Sequence, residues 1–352
     1  MGNVTQYAQN GSKWTEWEPD VLGEGYAKST LPLGADPDGE GEIEATLVRH
    51  TGPVTEPSRG SVLYVHGYTD YFFQRHLAEH FAELGYAFYA LDLRKCGRSH
   101  RPGQTPHYVS DLAHYDAELD AALTRLRNDT SGPVLLMAHS TGGLILPLWL
   151  NRRRLAGTLD GIGGVVLNSP WFDLQGPALL RSVAVGTVIH TVGRLRGFSV
   201  VPGQALDVYG RSIHADADGE WEYDLAWKPL AGFPIRFGWL RAVRAGHRRL
   251  QQGLDIGVPA LILRSKLTKF AREYGPDVDV ADAVLDVAQI QRWSGCLGDR
   301  TTIVPIENAR HDVFLSASEA LATAFDELDL WLAWLRAHLE RGVEVPQPQA
   351  TR

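Results

Sequence analysis

The segment Val134-Leu135-Leu136-Met137-Ala138-His139-Ser140-Thr141-Gly142-Gly143 carries the sharpest chemical signal in the sequence. An apolar strand runs into a small-x-Ser-x-Gly turn and from there into a helical pattern. This is the strand–turn–helix context of a nucleophile elbow, which holds its serine on a tight, strained turn. Small residues at positions 138 and 142 let strand and helix approach each other. The helix that follows directs N–H groups and positive potential at developing negative charge. Ala138 stands where such a turn usually has glycine. The plain alternative is a serine in an ordinary βα turn.

A second strand, Val62-Leu63-Tyr64-Val65, ends in His66-Gly67-Tyr68. Acyl-transfer chemistry needs two N–H donors for the oxyanion of its tetrahedral intermediate. The natural pair is the amide of Thr141, just after the serine, and the amide of Tyr68, just after His-Gly. Gly67 allows the close backbone turn. His66 reads as structural, orienting the loop. By itself His-Gly is a weak motif. A third piece, Asp92-Leu93-Arg94-Lys95-Cys96-Gly97-Arg98-Ser99, follows the next strand.

Together these motifs resemble the α/β-hydrolase superfamily. Within it they are most similar to the monoacylglycerol lipase and lysophospholipase-like branch, the serine aminopeptidase S33 type. That branch has His-Gly before its oxyanion loop, Asp-x-Arg-Gly-x-Gly-x-Ser after the next strand and Gly-x-Ser-x-Gly at the elbow. Lys95 departs from the glycine of the middle motif, and Ala138 from the first glycine of the elbow. The resemblance spans about residues 40 to 340. It implies the fold and serine hydrolase chemistry, with Ser140 as nucleophile, and leaves the substrate open.

The superfamily's chain order is serine, acid, histidine, the histidine following the last strand. Of the 13 histidines, only His311 lies between the strand Thr301 to Ile306 and the C-terminal helix. His338 lies within that helix and reads as a surface residue. The acid should follow the strand Val258 to Leu263, yet Arg264 to Lys269 contains no carboxylate. Acids come later, at Asp277, Asp279, Asp282 and Asp286. Asp282-Ala283-Val284-Leu285-Asp286 resembles the family's Asp-x-Val-Val-Asp, whose first aspartate is the triad member. The resemblance therefore places the acid at Asp282, with Asp286 as the fallback. The extra residues before Asp282 are a departure from the family. Asp277 and Asp279 read as solvated loop charges.

The elements that must position these residues alternate. Gly25 to Leu33 and Glu42 to His50 read as two strands joined by a turn-rich segment. Short apolar strands then follow at Ser61 to His66, Tyr86 to Asp92, Pro133 to Ala138, Ile162 to Asn168, Val258 to Leu263 and Thr301 to Ile306. Helical periodicity marks Phe72 to Leu84, Tyr108 to Arg127, Thr141 to Arg153, Trp239 to Gln251, Asp282 to Trp293 and Glu319 to Glu340. Fully apolar strands between amphipathic helices predict a mostly parallel sheet covered on both faces, an α/β fold.

Residues 171–236 interrupt the alternation. They hold an apolar stretch (Leu179, Leu180, Val183, Val185, Val188, Ile189 and Val192) and the aromatics Trp221, Tyr223 and Trp227. Such insertions over the carboxyl ends of strands form lids or binding walls. The predicted organisation is a polar segment 1–24, a core of 25–170 and 237–341, a lid or cap of 171–236 and a tail 342–352. Trp171, Phe172 and Trp227 are candidate substrate contacts.

The chain has 352 residues and a net charge of −8, with 22% charged and 44% hydrophobic residues. That composition fits a globular protein and excludes disordered, collagen-like and coiled-coil chains. The negative balance argues against nucleic acid and anionic membrane as partners. No apolar run is long enough to cross a bilayer, and the first twenty residues lack the core of a signal peptide. Two cysteines, Cys96 and Cys296, make no disulfide framework. A cytoplasmic protein follows as the expectation. No phosphate loop, zinc pattern or dinucleotide motif is found, so neither a cofactor nor a metal is expected.

The expected partner is a small hydrophobic ester, cleaved by an acyl-enzyme route. Lactone or amide cleavage and acyl transfer by the same residues stay open. So does a non-catalytic binding protein of the same fold.

Overall fold

Strands that are apolar at every position have no face to give to water, so their sheet must be covered twice. The computed structural model describes residues 13–175, 182–203 and 207–341, and builds such a sheet. Its strands are β1 (Glu18–Pro19), β2 (Tyr26–Ala35), β3 (Glu42–His50), β4 (Ser61–Val65), β5 (Ala87–Asp92), β6 (Val134–His139), β7 (Ile162–Asn168), β8 (Ala260–Ser265) and β9 (Thr301–Ile306). Their spatial order is β1-β2-β3-β5-β4-β6-β7-β8-β9. The pairs from β5 to β9 are parallel, and β1 to β3 join antiparallel at one edge.

Side chains alternate along each strand, and the core divides accordingly. Val62, Tyr64, Leu135 and Met137 pack with helices α1 (Arg75–Glu83) and α8 (Ser318–Glu340). Leu63, Val65, Leu136 and Ala138 face α2 (Asp116–Asp129), α3 (Gly142–Leu155) and α6 (Phe237–Gln251). The inserted residues carry α4 (Val183–Leu195), which packs on α6, and α5 (Val208–Ile213). Leu179 and Leu180 lie outside the described residues, as do residues 1–12 and 342–352. No helix among the described residues is long and apolar enough to cross a membrane.

Three expected helices are shorter than their periodicity suggested. The first begins at Arg75, because the Phe72 amide is drawn to Asp92 Oδ1 (3.1 Å). The second starts as a tight turn at Leu112, where Asp111 accepts the Ala113 N–H. The third, α7, runs only over Val287–Trp293. Asp286 caps it by accepting the Ala288 N–H (3.0 Å), which leaves residues 282–285 as loop. His338 is largely covered and stacks on Trp334, so it is not the surface residue expected.

The departure at Lys95 has a physical reason. Its φ is +60°, the left-handed region that glycine favours. Its side chain is fully buried and pairs with Asp36 and with Glu40 (2.8 Å), both from the turn between β2 and β3. The lysine thus pins that hairpin to the rest of the sheet, and its ion pairs oppose the backbone strain. Lys95→Gly would relieve about 1–2 kcal/mol of strain. It would also leave two covered carboxylates without their cation, at about 3–5 kcal/mol. We expect a net loss, read as a lower denaturation midpoint.

His247, on α6, is buried and bonds the Trp171 carbonyl through Nε2 (2.9 Å). Burial pushes its pKa down to about 4 from an ordinary 6.5. The unfolded chain therefore takes up a proton near pH 6.5 that the folded chain refuses until about pH 4. Stability from the neutral ring is complete above pH 6.5 and is lost as pH falls toward 4. Burial lowers His107 in the same direction. Denaturation midpoints measured across this window should fall with acidification, and His247→Gln should flatten the slope.

Candidate active site

β6 delivers its last residue into a turn that only a close approach of backbones permits. Ser140 has φ +52°, a strained value for a residue with a side chain. Its N–H donates to the Asn168 carbonyl (3.0 Å), and its own carbonyl accepts from Gly143 and Trp171. A Cβ on Gly142 would stand 2.7 Å from the Val65 carbonyl oxygen and 2.6 Å from that of His66. The nearest Ala138 atom would be 3.3 Å away, so alanine fits at 138 because 142 carries no side chain. Gly67 passes the serine as closely: a Cβ there would meet Ser140 Cβ at 2.9 Å.

Ser140, His311 and Asp282 are brought together. Ser140 Oγ lies 3.0 Å from His311 Nε2, and His311 Nδ1 lies 2.9 Å from Asp282 Oδ2. All three are buried. With Nδ1–H given to the carboxylate, Nε2 is left to accept the serine proton. Asp282 Oδ1 is held by the amides of Val284 (2.8 Å) and Leu285 (2.7 Å). The His311 loop is tied down by Asp312, which accepts from Asn168, Gln74 and the Phe314 amide.

The extra residues before Asp282 have a simple path. The chain leaves β8, loops through 270–281 and returns, so that Asp282 N–H bonds the Leu267 carbonyl and Lys269 N–H bonds the Asp282 carbonyl. Asp282 thereby sits beside the end of β8, despite its distance in sequence. Asp279 is not a solvated charge; it accepts from Tyr274 Oη (2.7 Å) and lies 3.4 Å from Arg310. Asp277 is exposed and pairs with Lys269. Asp286, spent on capping α7, does not reach His311.

Thr141 occupies the N-cap position of α3, whose positive end faces the serine. Neither the Thr141 nor the Tyr68 amide donates to another group among the described residues, so both N–H groups are free for an oxyanion. His66 bridges the Gly67 carbonyl (2.7 Å) and the Leu93 amide (3.1 Å), an orienting role.

The serine and both expected oxyanion residues border a cavity of about 240 Å³. Trp171, Trp239, Phe233 and Tyr68 give it aromatic walls, and Tyr209 and Lys228 close it beside His311. Of the three candidate substrate contacts, only Trp171 lines it. Phe172 turns into the core, 1% exposed, among the side chains of the α3 face. Trp227 stacks edge-on against Tyr71 and beneath Arg98, away from the cavity.

Sequence reading missed Tyr209, Lys228, Asp70 and His139. Tyr209 packs edge-on against His311 (5.4 Å) and its Oη meets the Asp312 amide (3.3 Å). His139 Nδ1 donates to Asp70 (3.1 Å), which Lys228 also contacts (2.7 Å). His139 was in view inside the elbow motif. Nothing in the sequence couples Lys228 to a carboxylate 158 residues away.

The sequence profile of the family described as serine aminopeptidase, S33, matches residues 56–274. No curated protein matches the chain. Among solved structures, the chain is similar to a soluble variant of monoglyceride lipase from Saccharomyces cerevisiae in complex with a substrate analog. That likeness has 16% identity and a TM-score of 0.58, over 95% of this chain and 100% of that one. It is similar to a Paleococcus ferrophilus monoacylglycerol lipase at 20% identity and TM-score 0.58, over 81% and 97%. A lipase in an open form matches at 15% identity and TM-score 0.60, over 88% and 99%. At such identities these likenesses concern the fold, an α/β-hydrolase sheet with flanking helices.

Proposed function

The chain belongs to the serine aminopeptidase S33 family, and on that premise we propose that it hydrolyses a carboxylic ester of a hydrophobic substrate, such as a monoacylglycerol or lysophospholipid. The observation that carries this reading is the unbroken chain of hydrogen bonds from Asp282 through His311 to Ser140, opening into an aromatic cavity.

Ser140 Oγ attacks the acyl carbon as His311 Nε2 takes its proton. The amides of Tyr68 and Thr141 receive the negative oxygen of the tetrahedral intermediate. Collapse breaks the bond to the alcohol oxygen, which leaves with the proton from His311. Water then attacks the acyl-serine, His311 again acting as base. The second collapse frees the acid and returns the proton to Ser140. Asp282 keeps the ring in its working tautomer and stabilises the imidazolium that forms in each half. Residues 171–236 act as the lid or cap, supplying Trp171, Tyr209 and Phe233 as walls for an acyl chain.

Intact mass after fluorophosphonate treatment tests the nucleophile. One adduct is expected on the wild type and none on Ser140→Ala, which should keep its melting temperature. Ester hydrolysis retained by Ser140→Ala would sink the reading. A second pair of variants tests the acid. Asp282→Asn should lower kcat by roughly 10⁴ through the wrong tautomer. Asp286→Ala should leave kcat nearly unchanged and cost about 1 kcal/mol of stability as a lost cap.

A further inference from the structure

Three consecutive side chains of the turn after β4 are gripped by one short run of the inserted segment. Tyr68 Oη donates to the Pro234 carbonyl (3.1 Å). Thr69 Oγ1 accepts the Phe233 N–H (3.0 Å). Asp70 Oδ1 accepts from Lys228 Nζ (2.7 Å). The turn is strained, with Thr69 at φ +51°. Asp70 closes it from within: its Oδ2 faces the Gly67 amide (3.4 Å) and accepts from His139, the residue before Ser140. The amide of Tyr68 lies inside this closed turn.

The Lys228–Asp70 pair is enclosed, with side chains 7% and 1% exposed. The ammonium also lies within 6 Å of the rings of Phe73, Tyr209 and Tyr223. Burying such a pair gives little net stability, because desolvation offsets the attraction. What it gives is geometry. Burial opposes ionisation of Asp70, but Lys228 and His139 hold its carboxyl far below the usual carboxylate range. Asp70 therefore stays a pure acceptor and keeps both its oxygens engaged.

We propose that Lys228 is a positioning residue for catalysis: the run 228–234 clamps the turn 67–70 and so holds the Tyr68 amide where the oxyanion forms. The inserted segment then sets the rate of turnover and does more than wall the cavity. This rests on the ester-hydrolase reading above. Lys228 also borders the cavity, which supplies the competing explanation that it merely touches substrate.

The two explanations separate in kinetics. The wild type is first assayed on a short p-nitrophenyl ester, with Ser140→Ala as blank; absence of turnover there would overturn the hydrolase reading itself. The variants Lys228→Met, Thr69→Ala, Thr69→Ser and Tyr68→Phe are then compared for kcat, KM and inhibition by a trifluoromethyl ketone, whose adduct carries the oxyanion.

For Lys228→Met we expect kcat to fall by about 10²-fold, ketone inhibition to weaken in parallel and KM to stay within about threefold. Thr69→Ala and Tyr68→Phe should show smaller losses of the same kind, and Thr69→Ser should recover the wild-type rate. Should Lys228→Met fail to fold, the double variant with Asp70→Asn removes both buried charges, and the Thr69 and Tyr68 variants carry the same comparison. A rise in KM with kcat unchanged overturns the proposal. So does a loss of kcat without weaker ketone binding.

Discussion

Everything in the site depends on how closely three stretches of backbone pass at Ser140. The left-handed serine, the start of α3 and the His-Gly turn crowd within van der Waals distance, and only missing side chains at positions 67 and 142 make room. The cost of that crowding is met locally. The serine's own N–H and carbonyl are fully bonded, and β7 and the start of the inserted segment both hold it. The rest of the sheet serves as a rigid frame for one unfavourable conformation.

A second constraint is the number of charges placed out of water. Arg98 sits between Asp20 (2.6 Å) and Asp92 (2.8 Å), Arg94 grips Glu118 (2.8 Å), and Lys95 meets the hairpin acids. Each of these cations belongs to the segment 92–99, which runs past the His-Gly turn and touches it through the Leu93 amide on His66. Paired and hydrogen-bonded in this way, the charges tie edge strands and loops to the site with directional contacts that an apolar patch would lack.

How much of this was legible in the sequence depended on range. Ser140 was readable because its neighbours along the chain create the turn: apolar residues before, small residues on either side, a helix after. His311 was readable from its position after the last strand. The sheet emerged from short apolar runs, which permit little else. Helix starts were missed where a side chain captured an amide, as Asp286 does at Ala288 and Asp92 at Phe72. Phe172 and Trp227 looked like cavity walls because they are aromatic and inserted, but residue type does not record the direction of a side chain. The contacts of Lys228, Thr69 and Tyr68 join residues more than 150 positions apart, where no local pattern can speak for them.

The loop that returns to bring Asp282 home separates reach from spacing. Its two ends are stapled together beside β8 by the Leu267–Asp282 and Lys269–Asp282 bonds, so the stretch between them hangs from a closed base. Lengthening a closed loop costs only a logarithm of its size. The outer stretch 270–273 is thus a graft point: foreign sequence could be spliced there, by evolution or by design, and the aspartate would still arrive at the same place, with Val278 and Ala281 kept in the core and Asp279 on Arg310.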